Sequence, residues 1–142
     1  MIGKTIDDLK IGERAAFSKT ISESDVYLFA GITGDFNPAH VNQPYAEKTF
    51  FKARIAHGIL VAGLLSAVMA NQLPGPGCVY IHQRLDFKAP VYIGDTVTAQ
   101  VEILAIHHDT NRVELQTTCI NQKGDMVVDG QAIVSPPKRS QG

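Results

Sequence analysis

The chain has 142 residues, 44% hydrophobic and 19% charged, with a net charge of −1. That length fits one compact domain spanning residues 1–142, and the composition is that of a globular rather than a disordered chain. With 13 basic residues against 14 acidic ones and no run of Lys or Arg, there is no electrostatic footprint for nucleic acid.

Residues 1–12 carry Lys4, Asp7, Asp8 and Lys10, unlike a signal peptide. The most apolar stretch, 55–70, contains His57 and is too short and mixed to span a bilayer. No membrane partner is expected, and the chain reads as cytoplasmic. Cys78 and Cys119 lack CxxC spacing and lie in strand-like apolar runs, so each reads as a buried free thiol.

Residues 14–20 form a candidate short strand. Ser22 then opens a helix, with Asp25 three residues on as a variant of the capping box. Val26, Phe29, Ala30 and Thr33 recur at helical spacing on one face. Gly31 and Gly34 weaken the end of this helix and Pro38 is expected to shut it off, which makes residues 35–40 a turn-rich loop. A further helical turn is expected over 45–51. A second helix, from His57 or Gly58 to about Gln72, is apolar almost all round, the pattern of a buried helix. The run Leu73-Pro74-Gly75-Pro76-Gly77 terminates it.

The second half changes period. Residues 78–82 and 83–91 read as two strands. Residues 96–106 alternate with Val97, Ala99, Val101, Ile103 and Ala105 on one side. Residues 112–121 repeat this with Val113, Leu115, Thr117 and Cys119, and 126–134 form the last strand. Pro136-Pro137 ends the ordered part, leaving 136–142 as a flexible tail. This order predicts an α+β fold in which an antiparallel sheet wraps around a long buried helix.

The segment most informative about chemistry is Thr33-Gly34-Asp35-Phe36-Asn37-Pro38-Ala39-His40. In a helix Asp35 and His40 would diverge, whereas in a turn with Pro38 fixing φ they can converge on one point. A carboxylate and an imidazole sharing one water suit proton transfer near neutral pH. The blander reading makes Asp35 an Asx-turn and His40 an ordinary surface histidine. Gly58 falls at the start of the buried helix, where unpaired N–H groups and the helix dipole favour developing negative charge. It could equally serve only close packing.

The stretches GDFNPAH, ARIAHGIL, QLPGPG and LDFKAPVYIGDTV resemble the MaoC-like (R)-specific enoyl-CoA hydratases over nearly the whole chain. The resemblance implies a hot-dog fold and reversible hydration of trans-2-enoyl-CoA to (3R)-3-hydroxyacyl-CoA, with Asp35 and His40 activating the water and the Gly58 amide receiving the thioester oxygen. Ser66, Asn37 and His57 complete the implied oxyanion and substrate-binding set. No metal and no cofactor is implied, coenzyme A being part of the substrate, and the expected assembly is a homodimer or a dimer of dimers. It leaves open which of Asp35 and His40 moves which proton. The alternatives are a hot-dog acyl-CoA thioesterase, a dehydratase of acyl-carrier-protein thioesters, and a non-catalytic acyl-binding subunit. His107-His108-Asp109 is a poor metal cage, and Lys52, Arg54, Arg84 and Lys88 are candidate but uncommitted contacts for coenzyme A phosphates.

Overall fold

The computed structural model describes residues 2–139. Strand β1 (Arg14–Thr20) is followed by helices α1 (Glu23–Thr33), α2 (Pro38–Val41), α3 (Gln43–Glu47) and α4 (Gly58–Asn71). Strands β2 (Val79–Phe87), β3 (Thr96–His107), β4 (Arg112–Ile120) and β5 (Met126–Ser135) complete it. The strands form one sheet in the order β1-β3-β4-β5-β2, with every pairing antiparallel. This is the α+β hot-dog arrangement, with α4 packed against one face of the sheet.

Alternation produces the core. On β3 the side chains of Val97, Ala99, Val101 and Ile103 are buried, and on β4 those of Val113, Leu115, Thr117 and Cys119. They meet Val61, Leu64, Leu65, Val68 and Met69 of α4 in one apolar cluster that leaves Thr117 as the polar member. Thr117 is not stranded, because the Gln83 side chain donates to its hydroxyl at 2.9 Å. The alternation on β3 lapses after Ile103, where the register against β4 shifts. Ala105 is consequently half-buried instead of continuing the core row.

Four expectations are revised. Residues 78–91 do not make two strands: β2 runs continuously through Tyr80–His82 with a bulge that shifts its register against β5, which is what breaks the alternation in the sequence. Pro38 does not merely end α1. Gly34 has already done so in the left-handed conformation (φ 83°), and Pro38 is the first residue of α2, where its fixed φ suits a helix start. The turn expected over 45–51 begins earlier, at Gln43. Helix α4 has one uncovered stripe, with Ile59, Gly63 and Ala70 exposed and Ser66 half-buried. No element of the described residues covers that side.

Of the tail expected at 136–142, residues 140–142 lie outside the described residues. The Pro136 carbonyl accepts from Asn111 Nδ2 at 2.8 Å, and the Pro137 ring packs on Gly77. Among the described residues no helix is long and apolar enough to cross a membrane.

Both cysteines are free, Cys119 buried and Cys78 half-buried. Burial pushes the Cys119 thiol up to about 12, so at pH 8 almost none is thiolate and nucleophilic reactivity is suppressed. Cys119 should therefore label with a disulfide reagent at pH 8 only as the protein unfolds in urea; labelling at the rate of a free thiol in the native protein would contradict this packing. Leu65 is fully buried, and Leu65→Ala should cost about 2–5 kcal/mol, read from the urea midpoint.

Candidate active site

Helix α1 begins as the sequence implies. Ser22 Oγ accepts from the Asp25 N–H at 3.1 Å and the Asp25 carboxylate accepts from the Ser22 N–H at 2.9 Å. After Gly34 the chain turns: the Asp35 N–H donates to Thr33 Oγ1 at 3.2 Å, and Asp35 Oδ1 accepts from the Asn37 N–H at 3.2 Å. The Asx-turn is therefore real, and it orients the exposed carboxylate by one oxygen while leaving Oδ2 without a partner among the described residues. Asn37 is the N-cap of α2, its Oδ1 accepting from the Ala39 N–H at 3.0 Å. Its side chain thus organises the short helix that carries His40.

His40 is half-buried. Its Nδ1 lies 2.7 Å from the carbonyl oxygen of Ile55. A carbonyl can only accept, so Nδ1 carries the proton and Nε2 of the neutral ring is the bare acceptor. The peptide of Ile55 is doubly tied to α2, since its N–H also donates to the Ala39 carbonyl at 3.2 Å.

His57 is 2% exposed. Its ring stacks on that of His40, with centroids 3.9 Å apart and planes at 30°, and Phe29 packs against it at 4.7 Å. Its Nε2 is 2.9 Å from the backbone oxygen of Asp35. One ligand-type atom from each of Asp35, His40 and His57 lies within 4.8 Å of the others. A water making hydrogen bonds of roughly 2.8 Å to two groups spans about that separation. The cluster is less suited to a shared metal ion, because imidazoles stacked face to face direct their lone pairs along separate planes.

Gly58 is the first residue of α4, and the His57 side chain makes no capping bond to that helix. The first-turn amides thus have no side-chain cap. A Cβ on Gly58 would sit 2.7 Å from the Phe87 ring, so any larger residue here would have to displace that half-exposed ring. The residue also lines a cavity of about 470 Å³ with Phe51, Ile59, Phe87, Val91 and Val127. Asp35 and His40 do not line that cavity; Ile55, which does, links it to them through the bond to His40. Ser66 lies apart, two helical turns further along α4, beside Met69, Cys78, Tyr80 and Val134 around a smaller cavity of about 90 Å³. His57, expected to contact substrate, is instead buried behind the Asp35–His40 pair.

Of the basic residues considered for phosphate contacts, Arg54 is committed elsewhere. It donates to Glu23 (2.5 Å), to the Tyr27 hydroxyl (2.8 Å) and to Gln43 (3.3 Å). It thereby clips α1 to α3 beside Ile55. Arg84 pairs with Asp86. The hydrogen bond from Arg54 holds the Glu23 carboxyl below its usual range, so the Glu23 arm of the clip is charged at neutral pH and weakens as acid protonates it, while the bonds to Tyr27 and Gln43 do not depend on that proton.

Residues 9–123 match the MaoC like domain. The chain belongs to the MaoC-like family. It is 53% identical over 133 residues to an (R)-specific enoyl-CoA hydratase of Rhodospirillum rubrum, covering 94% of this chain and 92% of the relative. It is 47% identical over 135 residues to a 3-hydroxybutyryl-CoA dehydratase of Methylorubrum extorquens, covering 95% and 85%. The unliganded R-hydratase structure from Pseudomonas aeruginosa superposes with a TM-score of 0.92 at 42% identity, covering 96% of this chain and 88% of that one.

Sequence reasoning could not find the Ile55 carbonyl, since a main-chain acceptor leaves no mark in the sequence, nor the Arg54 clip, whose partners lie 11 to 31 residues away. Arg54→Met keeps the stem and removes the donors. Amide exchange at Ala46 and Ile55 should then rise on the order of tenfold, measured by hydrogen exchange; unchanged protection would show that the clip does not hold these segments.

Proposed function

We propose that this MaoC-like protein is a single-domain cytoplasmic enzyme that reversibly hydrates trans-2-enoyl-CoA to (3R)-3-hydroxyacyl-CoA. The observation that carries this reading is the approach of Asp35 and His40 to within 4.8 Å, with Nδ1 of His40 occupied by a carbonyl so that Nε2 is left as the acceptor. The configuration at carbon 3 and the choice of coenzyme A rest on the names of the relatives, not on any distance in this chain.

Water held between the Asp35 carboxylate and His40 Nε2 is deprotonated as its oxygen bonds to the β-carbon. The electrons of the double bond move onto the thioester, and a proton returned by the same pair completes the α-carbon. The sum is one water added across one double bond, with nothing oxidised. Charge gathering on the thioester oxygen faces the uncapped first turn of α4, where the Gly58 amide is the nearest candidate donor. One such donor can lower the barrier by about 3 kcal/mol. Asn37 supports the reaction as the cap that orders α2. The acyl chain would lie along the apolar cavity lined by Ile59, Phe87 and Val91. The role of Ser66, and the absence of any metal or further cofactor, stand as parts of this proposal.

The proposed assembly is a homodimer. The outermost strand β2 exposes Val79, Tyr80, Ile81 and Phe87, and α4 leaves its stripe open. A second sheet would cover both, as an unprotected apolar edge otherwise invites association.

Asp35→Asn keeps the oxygen that accepts from Asn37, and His40→Asn keeps a donor toward Ile55 while removing Nε2. Each should lower hydration of crotonyl-CoA by roughly 10²-fold or more with the circular dichroism spectrum unchanged. The assay follows loss of the conjugated enoyl absorbance. Near-normal turnover in either variant would refute the assignment; release of free thiol by the native enzyme, without hydration, would instead favour a thioesterase.

A further inference from the structure

His57 has no role in the chemistry just described, yet it is the most buried titratable side chain beside the site. It sits at the N-cap of α4 without capping it. Its Nε2 instead reaches back 22 residues to the peptide oxygen of Asp35 at 2.9 Å. That oxygen can only accept, so Nε2 carries the proton. The other nitrogen, Nδ1, is buried and has no hydrogen-bond partner among the described residues. The opposite tautomer would bring two faults: a lone pair set against the Asp35 oxygen, and a buried N–H with nothing to receive it. The observed arrangement leaves only one unmatched lone pair. On its faces the ring meets His40 at 3.9 Å and Phe29 at 4.7 Å, which fix its plane.

We propose that His57 is a positioning residue: its buried ring, held as the Nε2–H tautomer, fixes the Asp35 peptide and backs the His40 ring, so that carboxylate and imidazole meet on one water. The proposal rests on the hydration reading for what the pair does. Its structural content is independent of that reading. Three consecutive residues complete the support: the Ile55 carbonyl orients His40, the Ala56 N–H donates to the Val91 carbonyl at 2.7 Å, and the His57 side chain orients Asp35. The Asp35 turn projects into solvent, with residues 31–37 all exposed. Besides its local Asx-turn bonds, the bond from His57 ties it to the core. Misplacing a reacting group by about 1 Å can cost on the order of 10²-fold in rate, so loss of this strut should appear in turnover. Since His57 is buried and does not line the cavity, substrate affinity should change little.

Two variants separate the strut from the bulk. His57→Phe keeps an aromatic ring and loses the donor; His57→Gln loses the ring but can present an amide N–H to the Asp35 oxygen. We expect kcat for crotonyl-CoA hydration to fall about tenfold or more in His57→Phe, with KM within about threefold, and His57→Gln to regain most of that loss. A His57→Phe enzyme with native kcat, equal losses in the two variants, or a loss carried by KM would overturn the proposal. Should either variant fail to fold, long-range proton–nitrogen NMR of the native protein at pH 8 decides. His57 must show a protonated Nε2 and a bare Nδ1, and a proton on Nδ1 would end the proposal. If the native enzyme does not hydrate enoyl-CoA at all, the functional reading fails while the tautomer result still stands or falls by itself.

Discussion

The hydrogen bond from His40 Nδ1 to the Ile55 carbonyl is the interaction on which the site depends. A neutral imidazole has one donor and one acceptor, and without an environment to choose between its tautomers it offers either nitrogen to a reactant. The Ile55 oxygen makes that choice at 2.7 Å. Ile55 is itself well anchored: it pairs with Tyr92 as an isolated bridge, and the Tyr92 hydroxyl donates to the Phe51 carbonyl at 2.9 Å. The His40 ring is therefore referenced to the segment between β2 and β3, not only to its own four-residue helix.

That anchoring matters because α2 and α3 are far too short to be stable by helix propensity. Their existence is a matter of caps and clips. Asn37 caps the first, Asn42 caps the second by accepting from the Tyr45 N–H at 2.9 Å, and proline occupies the first turn of each. Arg54 then joins the flanking elements. The division of labour is clear: the sheet and α4 provide stability through apolar burial, while the exposed segment carrying Asp35, Asn37 and His40 is held by individually modest polar bonds. A reactive loop can be open to solvent and still well placed when its anchor points lie in a rigid body.

How much of this was legible follows from which forces leave a sequence signal. Local chemistry does: the Ser22 capping box, the strands with buried Val and Leu on alternate positions, and the Asp-x-Asn-Pro-x-His spacing all describe elements seen in the structure. Non-local contacts do not. The resemblance put His57 in the substrate-binding set; only the chain's return toward Asp35 shows its ring turned inward and stacked on that of His40. The near-total apolarity of α4 suggested burial all round, yet small residues on one side leave a stripe that no described element covers. The bulge at Tyr80–His82 mimicked a strand break for a related reason, since one extra residue inverts the alternation without ending the pairing. Ser66, put in the site by the resemblance alone, lies eight residues of α-helix, about 12 Å, from Gly58.

Gly58 shows why local readings must be weighed against packing. Both accounts of this residue draw on different atoms. The missing Cβ leaves room for the Phe87 ring, which packs where it would sit, and that packing would hold in a protein with no activity. The amide is explained by neither Phe87 nor a cap, for the His57 side chain is turned away toward Asp35. Turning away has two effects at once: it supplies the strut for the carboxylate loop, and it leaves the first-turn N–H groups of α4 without a side-chain oxygen or nitrogen competing for them. In most helices Ser, Thr, Asp or Asn fills that position and satisfies an N–H. Histidine in the N-cap here sacrifices local helix stability, and the buried apolar contacts of Val61, Leu64 and Leu65 are what make that tolerable. The uncapped helix end and the tethered Asp35 turn are therefore two consequences of one side chain pointing backward along the chain.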